Sequence, residues 1–205
     1  AVTLPQVAVV NYGVGNLRSV KRGLERSGAK VLITHNPNGL SECDAIVLPG
    51  VGAFAPAIKT LASLAGVVKQ STEDGKLVFG ICLGLQLLFT KSSEGGLIDG
   101  LDLVSGDIVK LPDSVKSPQM GWNTIDSVRF HPLLEGVPDH SYVYFVHSYV
   151  PKPVEQNVIV ATTEYGVRFP SVIAKQSLLA TQFHPEKSSR IGLTILKNFV
   201  KIVKR

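Results

Sequence analysis

The 205-residue sequence holds only two cysteines, Cys43 and Cys82, with one methionine and one tryptophan. Two cysteines cannot build a disulfide framework, so the fold must rest on an apolar core. Charged residues are sparse at 18%, against 44% hydrophobic, which excludes a disordered chain and suits a large buried interior. No apolar run reaches the roughly 18 uninterrupted residues of a membrane-spanning helix. The opening Ala1-Val2-Thr3-Leu4-Pro5 lacks the charged region and apolar core of a signal peptide. A reducing cytoplasm is therefore the expected compartment. No His, Cys, Asp and Glu spacing matches a zinc or calcium site, so no metal is expected. Gly13-Val14-Gly15 lacks the third glycine of a dinucleotide fingerprint, no P-loop occurs, and no cofactor is expected.

The net charge is +5, but the 21 lysines and arginines are dispersed and form no basic stripe. A nucleic-acid partner is not expected. The one local cluster, Lys197, Lys201, Lys204 and Arg205, ends a C-terminal helix and complements its dipole.

Val7-Ala8-Val9-Val10, Val31-Leu32-Ile33, Ala45-Ile46-Val47-Leu48 and Leu77-Val78-Phe79 are short continuous apolar runs, the mark of strands buried on both faces. A helix carrying Leu17, Val20 and Leu24 follows the first, with Asn16 as its cap and Gly28 as its stop. Alternation of strand and helix predicts a parallel sheet. From about residue 106 strands follow in quick succession: 108–110, 141–146, 158–161, 171–174 and 178–183. They read as an antiparallel extension, and a helix from Ser189 carries Ile191, Ile195, Phe199 and Ile202. The expected fold is one α/β domain over 1–205, with a mixed, mostly parallel sheet flanked by helices, similar to flavodoxin.

Gly80-Ile81-Cys82-Leu83-Gly84 lies between a strand and the helix-like stretch 83–89, a nucleophile elbow with cysteine in place of serine. Glycines on both sides let strand and helix approach, and the helix N-terminus favours thiolate. A cysteine nucleophile needs a base and a group that orients the base. His184, after a buried strand in Gln182-Phe183-His184-Pro185-Glu186, supplies the first, and Glu186 the second. His147 fits either a second base or a structural histidine at a strand end. His35, His131 and His140 read as solvated loop residues, and Cys43 as packing. The turn Pro49-Gly50-Val51-Gly52 leaves backbone N–H groups for an oxyanion hole with the N–H of Leu83, or is a plain turn between strand and helix.

The Cys82 and His184 segments together resemble the two signatures of class I (triad) glutamine amidotransferases. The segments 11–19, 49–54, 118–123 and 144–149, with Lys187-Ser188-Ser189, are similar to the glutaminase subunits of imidazole glycerol phosphate synthases. Asn11 stands where many such sequences carry Asp. The resemblance implies that Cys82 attacks the glutamine side-chain amide, His184 protonates the leaving ammonia and Glu186 holds His184. It implies an oxyanion hole at Val51 and Leu83, and a glutamine cradle of Gly50, Gly52, Gln86, Glu94, His147, Ser148 and Tyr149. It further implies a heterodimer with a separate (β/α)₈-barrel cyclase, docked over Asn16, Trp122, Tyr144 and Lys187. Ammonia would pass to that cyclase, giving imidazole glycerol phosphate and AICAR. Three readings compete: a glutaminase subunit of another synthase, a stand-alone cysteine hydrolase or peptidase, and a catalytically silent binding subunit that only shapes a complex.

Overall fold

A computed structural model describes residues 3–13, 17–50 and 52–205. The expected cap Asn16 and the glycine turn at 14–15 lie outside them. The first half alternates β1 (Gln6–Val10), α1 (Leu17–Arg26), β2 (Lys30–Thr34), α2 (Pro37–Glu42) and β3 (Ala45–Leu48). It continues with α3 (Phe54–Leu61), α4 (Ala65–Glu73), β4 (Leu77–Ile81) and α5 (Leu83–Leu87). The second half runs β5 (Phe89–Ser92), β6 (Ile98–Asp99), β7 (Val104–Lys110), β8 (Gln119–Ser127), β9 (Ser141–His147) and β10 (Tyr149–Pro153). It ends with β11 (Ile159–Glu164), β12 (Arg168–Lys175), β13 (Leu178–Thr181) and α6 (Ser189–Val203).

Among the described residues the main sheet has the order β2-β1-β3-β4-β13-β12-β11-β8-β9. From β2 to β13 neighbours are parallel, and from β13 to β9 antiparallel. The apolar runs are explained by what covers the two faces. Val7 and Val9 point into a core shared with Leu24 of α1 and Phe199 of α6. Ala8 and Val10 point the other way, toward Leu40, Leu61 and Val68 of α2, α3 and α4. Each fully buried Leu or Phe contributes about 2–3 kcal/mol. Phe199 meets Phe79 of β4 at a centroid distance of 5.0 Å, so α6 backs the strand that ends at Cys82.

Three expectations need correction. The run Val31-Leu32-Ile33 forms β2, but β2 is the sheet edge, and Leu32 and Ile33 are exposed. The helix after Cys82 stops at Leu87, because Phe89 starts β5 and turns into a separate sheet, β10-β7-β5-β6. The segment 108–110 belongs to that second sheet rather than to the antiparallel extension.

The joint between β4 and α5 leaves no room for side chains. A Cβ on Gly80 would meet the carbonyl carbon and oxygen of Gly84 at 2.7 Å, and one on Gly84 would overlap the carbonyl oxygen of Leu48. Gly66, in the first turn of α4, faces open space instead. Gly84→Ala is expected to cost about 3 kcal/mol or more, since backbone has to move. Gly66→Ala should gain about 0.5–1 kcal/mol from helix propensity alone. Denaturant unfolding of the two variants checks the contrast, and equal effects would refute the tight joint.

Candidate active site

Cys82 follows β4 and stands at φ 54, ψ −104, the residue before α5. A cysteine in this region stores about 1–3 kcal/mol of strain. Its N–H donates to Thr181 O at 2.8 Å, tying the turn to β13. The side chain is buried, with Sγ 3.5 Å from Val146 O and 3.7 Å from Gln182 Nε2.

His184 follows β13 and faces the cysteine. Its Nδ1 lies 2.6 Å from Glu186 Oε1, and the two side chains are 4% and 2% exposed. Pro185 opens a 3₁₀ turn over Pro185–Lys187 that brings Glu186 back beneath the ring. The His184 main chain is clamped on both sides. Its N–H donates to Tyr144 O at 3.0 Å, and its carbonyl accepts from Ser188 Oγ at 2.6 Å. Ser188 Oγ also accepts from Tyr144 N–H at 2.9 Å. Burial opposes a charged imidazole here, but the Cys82 sulfur and the Glu186 carboxylate outweigh it and lift the His184 pKa to about 10. Nε2, the nitrogen turned from Glu186, is buried and faces the Cys82 sulfur. A nucleophilic sulfur, a proton carrier with a free nitrogen and a carboxylate that orients it are what a thiol-dependent acyl transfer requires.

Beside Cys82 opens a cavity of about 180 Å³. Gly52, Gln86, Glu94, His147, Ser148 and Tyr149 all line it, with Cys82 and Leu83 at its base. Gly50 is not part of that lining, and its carbonyl accepts the Leu83 N–H at 3.2 Å. The Leu83 N–H, expected as an oxyanion donor, is thus engaged by the turn in this structure. Val51, the other expected donor, lies outside the described residues. Gln86 Nε2 donates to Tyr149 O at 3.2 Å, and Glu94 Oε2 accepts from Phe54 N–H at 3.2 Å. Burial raises the Glu94 pKa, and the Phe54 bond only partly offsets it.

The two readings of His147 are now separable. Its Nδ1 donates to Tyr149 O at 3.0 Å and its Nε2 accepts from Gln119 Nε2 at 2.6 Å. Burial, with a smaller push from His184, lowers its pKa to about 4 against the Tyr149 carbonyl. It is a neutral ring with both nitrogens committed, part of the wall and not a second base. His131 is a half-buried cap, accepting from Leu133 N–H at 3.0 Å, rather than a solvated loop residue. His35 and His140 are exposed. Cys43 is buried in the core and unpaired, and burial raises its thiol pKa.

Several residues at the site carried no separate role in the sequence. Pro118 and Val146 line the cavity, Gln119 fixes His147, Ser188 clamps His184, and Gln182 touches the sulfur. Gln182 and Ser188 flank the His184 motif, which was the available signal. Away from the site, Asp126, Asp139 and His140 bring ligand-type atoms within 4.8 Å of one another. Arg168 at 2.8 Å and His140 at 2.6 Å already occupy Asp126, which makes this an exposed ion-pair network. Of the expected partner-facing residues, Trp122 and Tyr144 meet edge to face at 5.9 Å, Trp122 and Lys187 are exposed, and Asn16 lies outside the described residues.

The His184 environment predicts a pH dependence of stability. A histidine whose pKa rises from 6.5 to about 10 on folding binds its proton more tightly in the folded chain. Its contribution is complete below about pH 6.5 and is lost as pH climbs toward 10. Melting temperature should fall across that window by several degrees, roughly 2–4 °C per kcal/mol in a chain of this size. A His184→Asn variant should show a flatter profile, and parallel profiles would refute the assignment.

A family described as class-I glutamine amidotransferase matches residues 8–203. The chain is 46% identical over 202 residues to imidazole glycerol phosphate synthase subunit HisH of Methanosarcina mazei, covering 97% of this chain and all of that protein. It is 46% identical over 197 residues to the HisH subunit of Methanocaldococcus jannaschii, covering 96% and 100%. In fold it is similar to a chain of PurLQS from Thermotoga maritima, with a TM-score of 0.75 at 20% identity over 98% of this chain and 99% of that one. The match across almost the whole length, joined to an elbow cysteine facing a buried His–Glu pair, means that the chain belongs to the class-I glutamine amidotransferase family.

Proposed function

We propose that the chain is the glutaminase subunit of an imidazole glycerol phosphate synthase, working in the cytoplasm. The observation that carries the reading is the 2.6 Å His184–Glu186 pair facing Cys82 at the base of the cavity. The Cys82 thiolate attacks the side-chain amide carbon of glutamine. His184 delivers its Nε2 proton to the departing nitrogen, and ammonia leaves with a γ-glutamyl thioester remaining on Cys82. His184 then takes a proton from water, which attacks the thioester and releases glutamate and the thiolate. Glu186 keeps the imidazole in register and balances its charge through both halves. Gly52, Gln86, Glu94, Ser148 and Tyr149 hold the amino-acid end of the substrate.

Attack on the amide places negative charge on oxygen, and backbone donors are the usual answer. Here the Leu83 N–H is taken by Gly50 O. The Gly50–Val51 peptide has to turn away before the hole is complete, so the isolated subunit is expected to turn over slowly. A cyclase subunit with a (β/α)₈ barrel, docked as a heterodimer over Trp122, Tyr144, Lys187 and Asn16, supplies the reason to turn. The outer face of β8 and β9 suits such a partner: Met120, Trp122 and Tyr142 are all exposed there. Exposed large apolar side chains that cluster on one face mark interaction surfaces.

Ammonia release from glutamine should be low for this chain alone and rise at least about tenfold, or 1.4 kcal/mol of barrier, with a purified cyclase and its nucleotide ligand. A glutamine-like diazoketone should label Cys82 and spare the buried Cys43. A high rate indifferent to the cyclase would instead indicate a stand-alone hydrolase.

A further inference from the structure

Gln182 is fully buried, and only one end of its amide is satisfied. Its backbone N–H donates to Ser171 O of β12 at 3.0 Å, which fixes the residue just past β13. Its side chain reaches the cysteine, with Nε2 3.7 Å from Sγ, while Oε1 is buried with no hydrogen-bond partner among the described residues. A half-satisfied amide in a core is costly, and an apolar side chain of similar size would avoid the cost. The segment alternates: Phe183 turns into the core against Phe145 at 5.8 Å, and its neighbours Gln182 and His184 both face Cys82. Val146 O, 3.5 Å from Sγ, accepts from a thiol but repels a thiolate. A donor beside His184 tips that balance further.

We propose that Gln182 is a catalytic residue, whose side-chain N–H bonds the Cys82 sulfur and holds it as the charged, attacking species. The proposal rests on Cys82 being the nucleophile. An ionised sulfur is a strong acceptor, and a thiol or thioester sulfur a weak one. The bond is therefore strong before attack and slack in the thioester. It re-forms as water adds to the acyl carbon and the sulfur leaves with the C–S bonding pair. The other titratable groups around the sulfur are His184 and Glu186 after β13, Tyr12 after β1, His147 on β9 and Glu94 after β5. Of these, protonated His184 also favours the thiolate, so removing Gln182 weakens the charged state without abolishing it.

The test uses the full chain, iodoacetamide as probe and mass spectrometry to read Cys82 alone. A hydrogen bond to an ionised acceptor is worth about one pH unit or more of acidity. Gln182→Met should move the alkylation midpoint up by about one unit, with a melting temperature unchanged or higher. Gln182→Glu should move it further, because its carboxylate repels the sulfur. In the unsubstituted protein, the Gln182 side-chain amide resonances should shift when Cys82 is alkylated, and this measurement decides the matter if either variant fails to fold. Parental profiles in both variants, or amide resonances that do not move, would overturn the proposal. Iodoacetamide needs no glutamine: alkylation that responds as expected in a chain that releases no ammonia even with the cyclase and its nucleotide ligand would sink the glutaminase reading and leave this one standing.

Discussion

The structure depends on how closely α5 lies against the ends of β3 and β4. Nothing larger than hydrogen fits at Gly84 against the Leu48 carbonyl, or at Gly80 against Gly84. That contact leaves Cys82 the single residue in which the chain can reverse, at φ 54 and ψ −104. The strain is held because the Cys82 N–H is bonded to Thr181 O at 2.8 Å. The same bond locates the rest of the site. β13 and β4 are parallel neighbours in the register Thr181↔Ile81, so the chain that continues past Thr181 emerges beside the cysteine. Gln182 and His184 thus arrive at the carboxyl edge of the sheet, where ligands of open α/β folds collect.

Burying His184 and Glu186 is expensive, and the solution is geometric before it is electrostatic. A buried ion pair offsets its desolvation only when the geometry is good and the remaining polar atoms are served. Ser188 serves two of them, joining the His184 carbonyl to the Tyr144 N–H through one hydroxyl. This places β9, the 3₁₀ turn and the start of α6 in one clamp around the imidazole. Glu186 Oε2 stays unpartnered among the described residues, and His184 Nε2 faces only the Cys82 sulfur. The charge on the ring is then balanced on one side only, and the Cys82 sulfur becomes its natural counter-ion.

Much of this is legible in the sequence because two separate constraints point to one place. Continuous apolar runs such as Val7–Val10 require cover on both faces, and a glycine-flanked cysteine between strand and helix requires an elbow. Edge position is harder to read: Val31-Leu32-Ile33 is as apolar as a central strand, yet among the described residues no strand pairs with its far edge. The short α5 was hidden because Leu87-Leu88-Phe89 continues a helical pattern while tertiary pairing of Phe89 with Val104 draws it into β5. The bond from the Leu83 N–H to Gly50 O was not legible. Whether a backbone donor is free depends on the orientation of a neighbouring peptide, and glycine at position 50, at φ +132, permits more than one.

That freedom separates the parts of the site by stiffness. Cys82 and His184 are held by sheet register and core packing, while the Leu83 N–H is taken up by Gly50 O in a glycine-rich turn after β3. A partner can shift such a turn only as far as it binds one arrangement better than the other. The outer face of β8 and β9 carries Tyr144, whose carbonyl accepts the His184 N–H. A surface that meets Tyr144 therefore touches a residue one hydrogen bond from the proton carrier. With the docking proposed above, coupling to the site needs no long pathway: the outer face of β8 and β9 and the His184 backbone share Tyr144.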